Sequence, residues 1–272
     1  MRSLLEIKNI FSPSQIIHWK KASPVHPKNR GIPVPTLKIK EGGCNECKAC
    51  ETECPTHSVK ILSNESIRFD YGACLQCGSC VTACSKDYIK NSGFLYAFSK
   101  DRDSLRITYT NGEFTPEPEP ADTPEVAAFR KLTHTNGFLY REVAAAGNNS
   151  VECELNASFN SVFDSEREGV RIVASPKHAD AVVFSGPVSK GMEGPLSDAW
   201  EVMAGPKALI ACGTEAVSGG LYPKGKRPKE PDLFIGGDPP RPDVVLQAFR
   251  YLMGRFSFSF QEALHKFMQS EK

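Results

Sequence analysis

The 272 residues predict two units of different class: a small α+β metal-binding unit, then an α/β unit built on a doubly wound parallel sheet. Three observations carry this. Eight of the ten cysteines fall between Cys44 and Cys84. From residue 126 onward, short apolar strands alternate with helical stretches, the pattern of a sheet covered on both faces. Between the two, Thr115–Pro124 reads TPEPEPADTP. Such an acidic, proline-rich stretch cannot build a core, so 113–125 is expected as a surface linker.

Composition narrows the function. Lys plus Arg total 33 and Asp plus Glu 32, a net charge of +1. That balance argues against a nucleic-acid binder, whose domain is normally basic. No apolar run approaches the ~20 residues that cross a bilayer, and the N-terminal residues lack a signal-type apolar core. Dense cysteines in such a chain point to metal binding rather than disulfides.

The elements follow in order. Residues 1–40 form a basic arm with eight Lys or Arg against one acid, Glu6. Leu4, Leu5, Ile7, Ile10 and Phe11 fall on one side of a helix that Ser3 caps, and Ser14 caps a second piece bearing Ile16, Ile17 and Trp19. Pro24, Pro27, Pro33 and Pro35 then force an extended arm. The arm reads either as lying on an anionic membrane surface or as packed on a neighbouring subunit. Residues 41–112 hold the cysteines and end in an expected hairpin, Phe94–Phe98 against Leu105–Tyr109 before Asn111-Gly112. In 126–256, strands are expected at 138–143, 170–173, 181–184, 208–211 and 233–235. The last four end at glycine or proline turns. Helices are expected at 127–132, 151–165, 195–204 and 242–254. Residues 257–272 read as a helix or tail.

The cysteines carry the chemistry. Cys44, Cys47, Cys50 and Cys54 are spaced C-x2-C-x2-C-x3-C before Pro55, and Cys74, Cys77, Cys80 and Cys84 repeat the spacing before Ser85. Three thiolates two residues apart wrap one face of a cubane, while the fourth reaches the other cluster. The expected ligand sets are therefore Cys44, Cys47, Cys50 and Cys84 for one 4Fe-4S cluster and Cys74, Cys77, Cys80 and Cys54 for the second. Zinc, the alternative, usually takes two separated C-x2-C pairs. The 41–112 unit resembles the bacterial-type two-cluster ferredoxin. The preceding Pro27-x-x-Arg30-Gly31-x-Pro33 is similar to electron-input ferredoxin subunits of respiratory complex I and energy-converting hydrogenases.

The second half carries a further string: IVASPKHAD from Ile172 to Asp180, SGPV from Ser185, GPK from Gly205, ACGTEA from Ala211, SGG from Ser218 and GDPPRP from Gly237. Over 137–255 this resembles the small subunit of membrane-bound energy-converting nickel–iron hydrogenases and its complex I counterpart. The resemblance implies a flavodoxin-like fold with a terminal 4Fe-4S cluster held by four cysteines at strand ends. Carried over, the four positions fall on Ser150, Cys153, Glu215 and Asp238. Three thiolates are replaced by oxygen groups, which suit harder cations or water. The terminal site is therefore expected to be empty, with Glu215 and Asp238 hydrogen-bonded to backbone or to a basic partner residue. Cys212, His134 and His178 read as structural. The glycine turns at Ser185 and Ser218 lack phosphate-loop spacing.

The resemblance implies a non-catalytic, peripheral electron-transfer and docking subunit on the cytoplasmic face of a membrane-associated complex I-like or hydrogenase-related assembly. Its expected partners are a hydrogenase-large-subunit-like protein, membrane subunits reached through the basic arm, and a soluble electron donor. Two other readings compete. One is a structural or coupling module whose clusters do not turn over, and the other a soluble ferredoxin with an appended binding domain.

Overall fold

The computed structural model describes residues 11–12 and 17–271. The helix expected over Leu4–Ile10, its cap at Ser3, the second cap at Ser14 and Ile16 lie outside the described residues. The strands within them are β1 (Pro33–Pro35), β2 (Val59–Ile61), β3 (Ser66–Asp70), β4 (Ile89–Asn91), β5 (Phe98–Ser99), β6 (Arg106–Thr110), β7 (Leu139–Ala144), β8 (Arg171–Ile172), β9 (Ala181–Ser185), β10 (Ala208–Cys212) and β11 (Leu233–Ile235).

A six-stranded sheet runs in the order β5-β11-β10-β9-β7-β8. β7 to β11 are mutually parallel, so the expected strands of the second half all form and pair as expected. β9 and β10 are buried at every residue, which their unbroken apolar runs require. Helices 124–136, 190–201 and 242–252 pack on β10, β9 and β11. The 124–136 helix starts where Thr123 accepts from the Val126 N–H and Pro124 fills the first turn; it ends at Gly137, φ +79°. Strand order reverses beside β7, which opens the loops after β7 and β9 at the carboxyl end of the sheet.

The expected hairpin does not form. β5 joins the large sheet antiparallel to β11, Phe98 opposite Ile235. β6 instead pairs with β3, Tyr109 opposite Ile67, in a three-stranded sheet with β2. The two sequences explain the difference. β6 alternates exposed and buried residues, as a strand with one covered face does. Phe94–Phe98 is buried throughout, and a two-stranded ribbon cannot cover both faces of such a run. Here Phe94 meets Phe260 and Phe267, Tyr96 meets Phe256 and Phe258, and Phe98 meets Tyr251 and Phe258. The cysteine unit and the α/β unit therefore share a sheet and a core. The C-terminal stretch is a helix, 260–270, and its Phe260 packs on Tyr71 of the cysteine unit.

Two further boundaries shift. The described part of the arm packs on its own chain. β1 pairs with β4, and Trp19, Ile32, Val34 and Ile39 are buried. Gln247 also donates to the Trp19 carbonyl at 3.2 Å. The 113–125 stretch lies at the surface but is pinned. The Glu117 N–H donates to Gln261 at 2.8 Å. Asp122 pairs with Lys100 and Arg130, and Tyr251 donates to Glu119.

Glu119 makes this strap pH-sensitive. Burial, partly offset by Lys100, pushes its carboxyl up to about 7. A raised acid stabilises the fold fully below its unfolded value, and that contribution is lost as pH rises through the folded value. Glu119→Gln fixes the neutral form. Its stability advantage over the wild type should grow between about pH 5 and pH 8 in thermal melts and level off above. An advantage independent of pH would show that Glu119 does not retain its proton.

Candidate iron–sulfur sites

Each cysteine motif winds through left-handed backbone positions that turn three thiols inward. Gly43 and Lys48 bracket the first loop at φ +82° and +47°; Gln76 and Gly78 bend the second at +56° and +82°. Gly43 holds a left-handed φ that side chains with a Cβ rarely adopt, which favours glycine there. Cys44, Cys47 and Cys50 line one cavity together with Cys84, against an apolar wall of Ile39, Ile61, Ile67 and Ile89. Cys74, Cys77 and Cys80 line a second with Cys54, beside Pro33 and Leu75. Each cavity thus takes three thiols from one motif and the last thiol of the other.

The sulfurs meet backbone donors. Ser58 N–H donates to Cys54 Sγ and Tyr88 N–H to Cys84 Sγ, both at 3.2 Å, the same four-residue step in each motif. Gln76 N–H donates to Cys74 Sγ at 3.4 Å. Such bonds orient cluster ligands and set their potential. Burial pushes the Cys50, Cys74 and Cys80 thiols up to about 12, with neighbouring cysteines adding to it at all three. For Cys54 burial also raises, but hydrogen bonds from Ser58 and Thr56 outweigh it and leave the thiol below its ordinary value. Thiols held near 12 ionise at neutral pH only when a metal displaces the proton. Among the described residues no three His, Cys, Asp or Glu side chains gather closely enough for a single metal ion. The thiols are spread around a cavity, and this donor set fits a four-iron cluster.

At the carboxyl end of the parallel sheet lies a polar pocket. Ser150, Glu215 and Asp238 come together there, as the resemblance implies, around a residue that sequence reading passed over, Asn148. The Asn148 N–H donates to Glu215 at 3.2 Å, and its side-chain amide to Asp238 at 3.3 Å. Its side-chain Oδ1 accepts from the Ser150 N–H at 3.0 Å and from the hydroxyl at 2.6 Å. Ser150 Oγ also lies 3.1 Å from Asp238. Burial raises the Glu215 carboxyl, the Asn148 N–H lowers it, and Asp238 raises it again. Cys153 does not join the group. It is exposed on the 150–157 helix, its sulfur 3.8 Å from the Asn149 amide. Arg241 does not neutralise the pocket either, because it pairs with Asp243 at 3.0 Å.

The second cysteine loop abuts this pocket. Thr214 Oγ donates to the Cys74 carbonyl at 2.9 Å and accepts from Gly237 N–H at 3.1 Å. Gly236 sits where a Cβ would meet the Tyr71 carbonyl at 2.7 Å, so the two units close directly over the strand ends.

Comparison with known proteins gives these sites a family. The profile of the 4Fe-4S dicluster domain matches residues 36–85, and that of the NADH ubiquinone oxidoreductase 20 Kd subunit matches 148–252. Formate hydrogenlyase subunit 7 of Escherichia coli (strain K12) is 34% identical over 135 residues, 47% of this chain and 52% of that protein. A probable membrane-bound hydrogenase subunit, mbhJ of Pyrococcus furiosus, is 31% identical over 105 residues, 36% of this chain and 63% of that protein. A subunit of the NADH-quinone oxidoreductase of Geotalea daltonii is 32% identical over 120 residues, 41% of this chain and 71% of that protein. The chain belongs to the NADH ubiquinone oxidoreductase 20 Kd subunit family.

This family member spans only 52% and 63% of the first two of those relatives. It adds to the 20 Kd subunit region a domain whose cofactors are two 4Fe-4S clusters, and 36–85 contains all eight paired-motif cysteines. The family match opens at Asn148, the hub of the polar pocket. Cys212, His134 and the Ser185 turn are taken up by packing in this fold. Cys212 is fully buried on β10. His134 Nδ1 lies 3.0 Å from the Met253 carbonyl at the end of the 242–252 helix. The turn at Ser185 packs against the loop after β7, since a Cβ on Gly186 would lie 2.3 Å from Gly147 N.

Proposed function

We propose that this chain is a peripheral electron-transfer and docking subunit of a membrane-associated complex I-like or hydrogenase-related assembly, with its terminal cluster lost. Cys44, Cys47, Cys50 and Cys84 hold one cluster, and Cys74, Cys77, Cys80 and Cys54 the other. The observation that carries this is a contrast within one molecule. Two cavities offer four thiols each, while the pocket at the strand ends offers Ser150, Asn148, Glu215 and Asp238. Strand order β8-β7-β9-β10-β11 supports a flavodoxin-like sheet in 126–256, whose ligand crevice is this pocket.

Among the described residues no helix is long and apolar enough to cross a membrane. Attachment therefore falls to partners: a large subunit resembling the hydrogenase catalytic subunit, docked at the strand ends, and membrane subunits on the cytoplasmic face. The basic arm, residues 1–40, is assigned the contact with those membrane subunits. A soluble donor supplies electrons near Cys47 and Cys77, which are the exposed thiols of the two sets.

The test is purification from membranes followed by a reductive titration. Both clusters are expected to reduce with a low-potential donor and to reoxidise when the native complex is given its acceptor. Clusters that stay unchanged through turnover would favour a structural module, and recovery of the chain free of any partner would favour a soluble ferredoxin.

A further inference from the structure

Arg102 follows β5 in the chain, yet its side chain reaches the turn that leads into the second cysteine loop. It lies outside both matched regions, 36–85 and 148–252. Its Nη2 donates to both oxygens of Asp70, at 2.7 and 2.8 Å. Its Nη1 is buried with no hydrogen-bond partner among the described residues. Gly72 leaves room for it: a Cβ there would lie 2.7 Å from Nη1 and 2.9 Å from Val217 on the 214–218 helix. The guanidinium is thus enclosed between that turn and that helix, and the side chain is 14% exposed.

Asp70 is joined to both ends of the second ligand set. Its Oδ1 accepts from the Ala73 N–H at 3.1 Å, which fixes the residue before Cys74. Its own N–H donates to the Ser58 carbonyl at 2.7 Å, and the Ser58 N–H donates to Cys54 Sγ at 3.2 Å. Arg106 Nε also donates to Asp70, at 3.1 Å, but Arg106 is half-exposed and divided between Asp70 and Asp103. Asp101 is turned away, accepting from the Ser104 N–H at 2.8 Å and the hydroxyl at 2.9 Å. The enclosed charges beside the loop are therefore Asp70 and Arg102.

We propose that Arg102 is a positioning residue for electron transfer, acting through Asp70 to hold up the reduction potential of the cluster held by Cys74, Cys77, Cys80 and Cys54. This rests on the cluster assignment proposed above. Reduction adds a negative charge to a cluster, and nearby charge and hydrogen bonds set how readily it is accepted. The Asp70 carboxylate alone opposes it. Arg102 offsets that carboxylate with a cation that water screens little, so its influence exceeds that of an exposed arginine. The same fork keeps Asp70 in place to hold the Ala73 turn.

The experiment uses the anaerobic full-length protein with iron content measured first. Dithionite titrations read by electron paramagnetic resonance give the two potentials, and the one that remains in Cys84→Ala is that of the second cluster. Arg102→Gln should lower it by about 59 mV, a tenfold change in a one-electron equilibrium, and leave the first unchanged. Arg102→Lys keeps the charge without the fork and should recover most of the loss. Asp70→Asn keeps an acceptor for the Ala73 N–H and the backbone bond to Ser58, but removes the negative charge, so it should raise the potential. Opposite signs mark an effect of charge, whereas a merely loosened turn moves both variants the same way. Two intact clusters in Arg102→Gln with the second potential unchanged, or shifts of one sign in Arg102→Gln and Asp70→Asn, would overturn this proposal alone. If Arg102→Gln does not keep its second cluster, Asp70→Asn decides, and a potential that does not rise overturns the proposal. Absence of the second cluster from the wild-type protein by iron analysis would overturn it together with the cluster assignment.

Discussion

Cys54→Ala is expected to destroy or convert the cluster seated among Cys74, Cys77 and Cys80, while the cluster among Cys44, Cys47 and Cys50 survives. Cys84→Ala should do the reverse. Three thiols of each motif enclose their own cavity, but the fourth leaves the loop and lines the other cavity. Cys54 stands opposite Cys80, and Cys84 opposite Cys50, closely enough for each thiol to raise its counterpart. The i to i+4 backbone bonds from Ser58 and Tyr88 aim the two sulfurs across the pair. Each substitution should therefore cost about four of eight irons and one of two paramagnetic signals. Loss of the spin coupling between the two centres reports the missing cluster. If either variant loses the cluster of its own loop, the crossed ligand sets are wrong.

The parallel sheet was legible because its signal is local. Each central strand is an unbroken apolar run stopped by glycine or proline, and such runs are buried on both faces wherever they sit. The expected ligand crossing rests on the spacing, since 2-2-3 turns three thiols inward and throws the fourth outward, and the placement of Cys84 and Cys54 in the opposite cavities supports it. What sequence could not show was which strand a run pairs with. Phe94–Phe98 and Leu105–Tyr109 are close in the chain and flank turn residues, so a hairpin is the economical guess. The distinguishing feature was present: the first run is continuous while the second alternates, so they cannot share a one-sided ribbon. Asn148 was missed because a carried-over ligand pattern directs attention to aligned positions, and the hub of a hydrogen-bonded pocket need not occupy one. Cys153, the one thiol kept at the carried-over positions, stands apart from the pocket. It has the right element type but lies one helical turn from Ser150, on an exposed position.

The purified protein should contain about eight iron atoms and no third cluster, a count that follows from two four-iron centres. A cubane needs a soft ligand on nearly every iron, and the pocket at the strand ends supplies oxygen and amide groups already bonded to one another. Asn148 holds Glu215 through its backbone and Asp238 through its side chain, and Ser150 closes on both Asn148 and Asp238. Opening that network to admit a cluster would strip Glu215, 7% exposed, of its N–H donor. It would also set two carboxylates against an anionic cluster, with Arg241 tied to Asp243. The one cysteine nearby, Cys153, would have to turn inward from the exposed side of its helix. Restoring thiols should not be enough on its own: Glu215→Cys with Asp238→Cys still leaves Asn148 and Ser150 in place, so that double variant should also stay near eight irons after reconstitution. A content near twelve irons in the wild-type protein, or a third interacting paramagnetic centre on reduction, would mean that the electron path continues through the strand ends instead of stopping at the Cys74 loop.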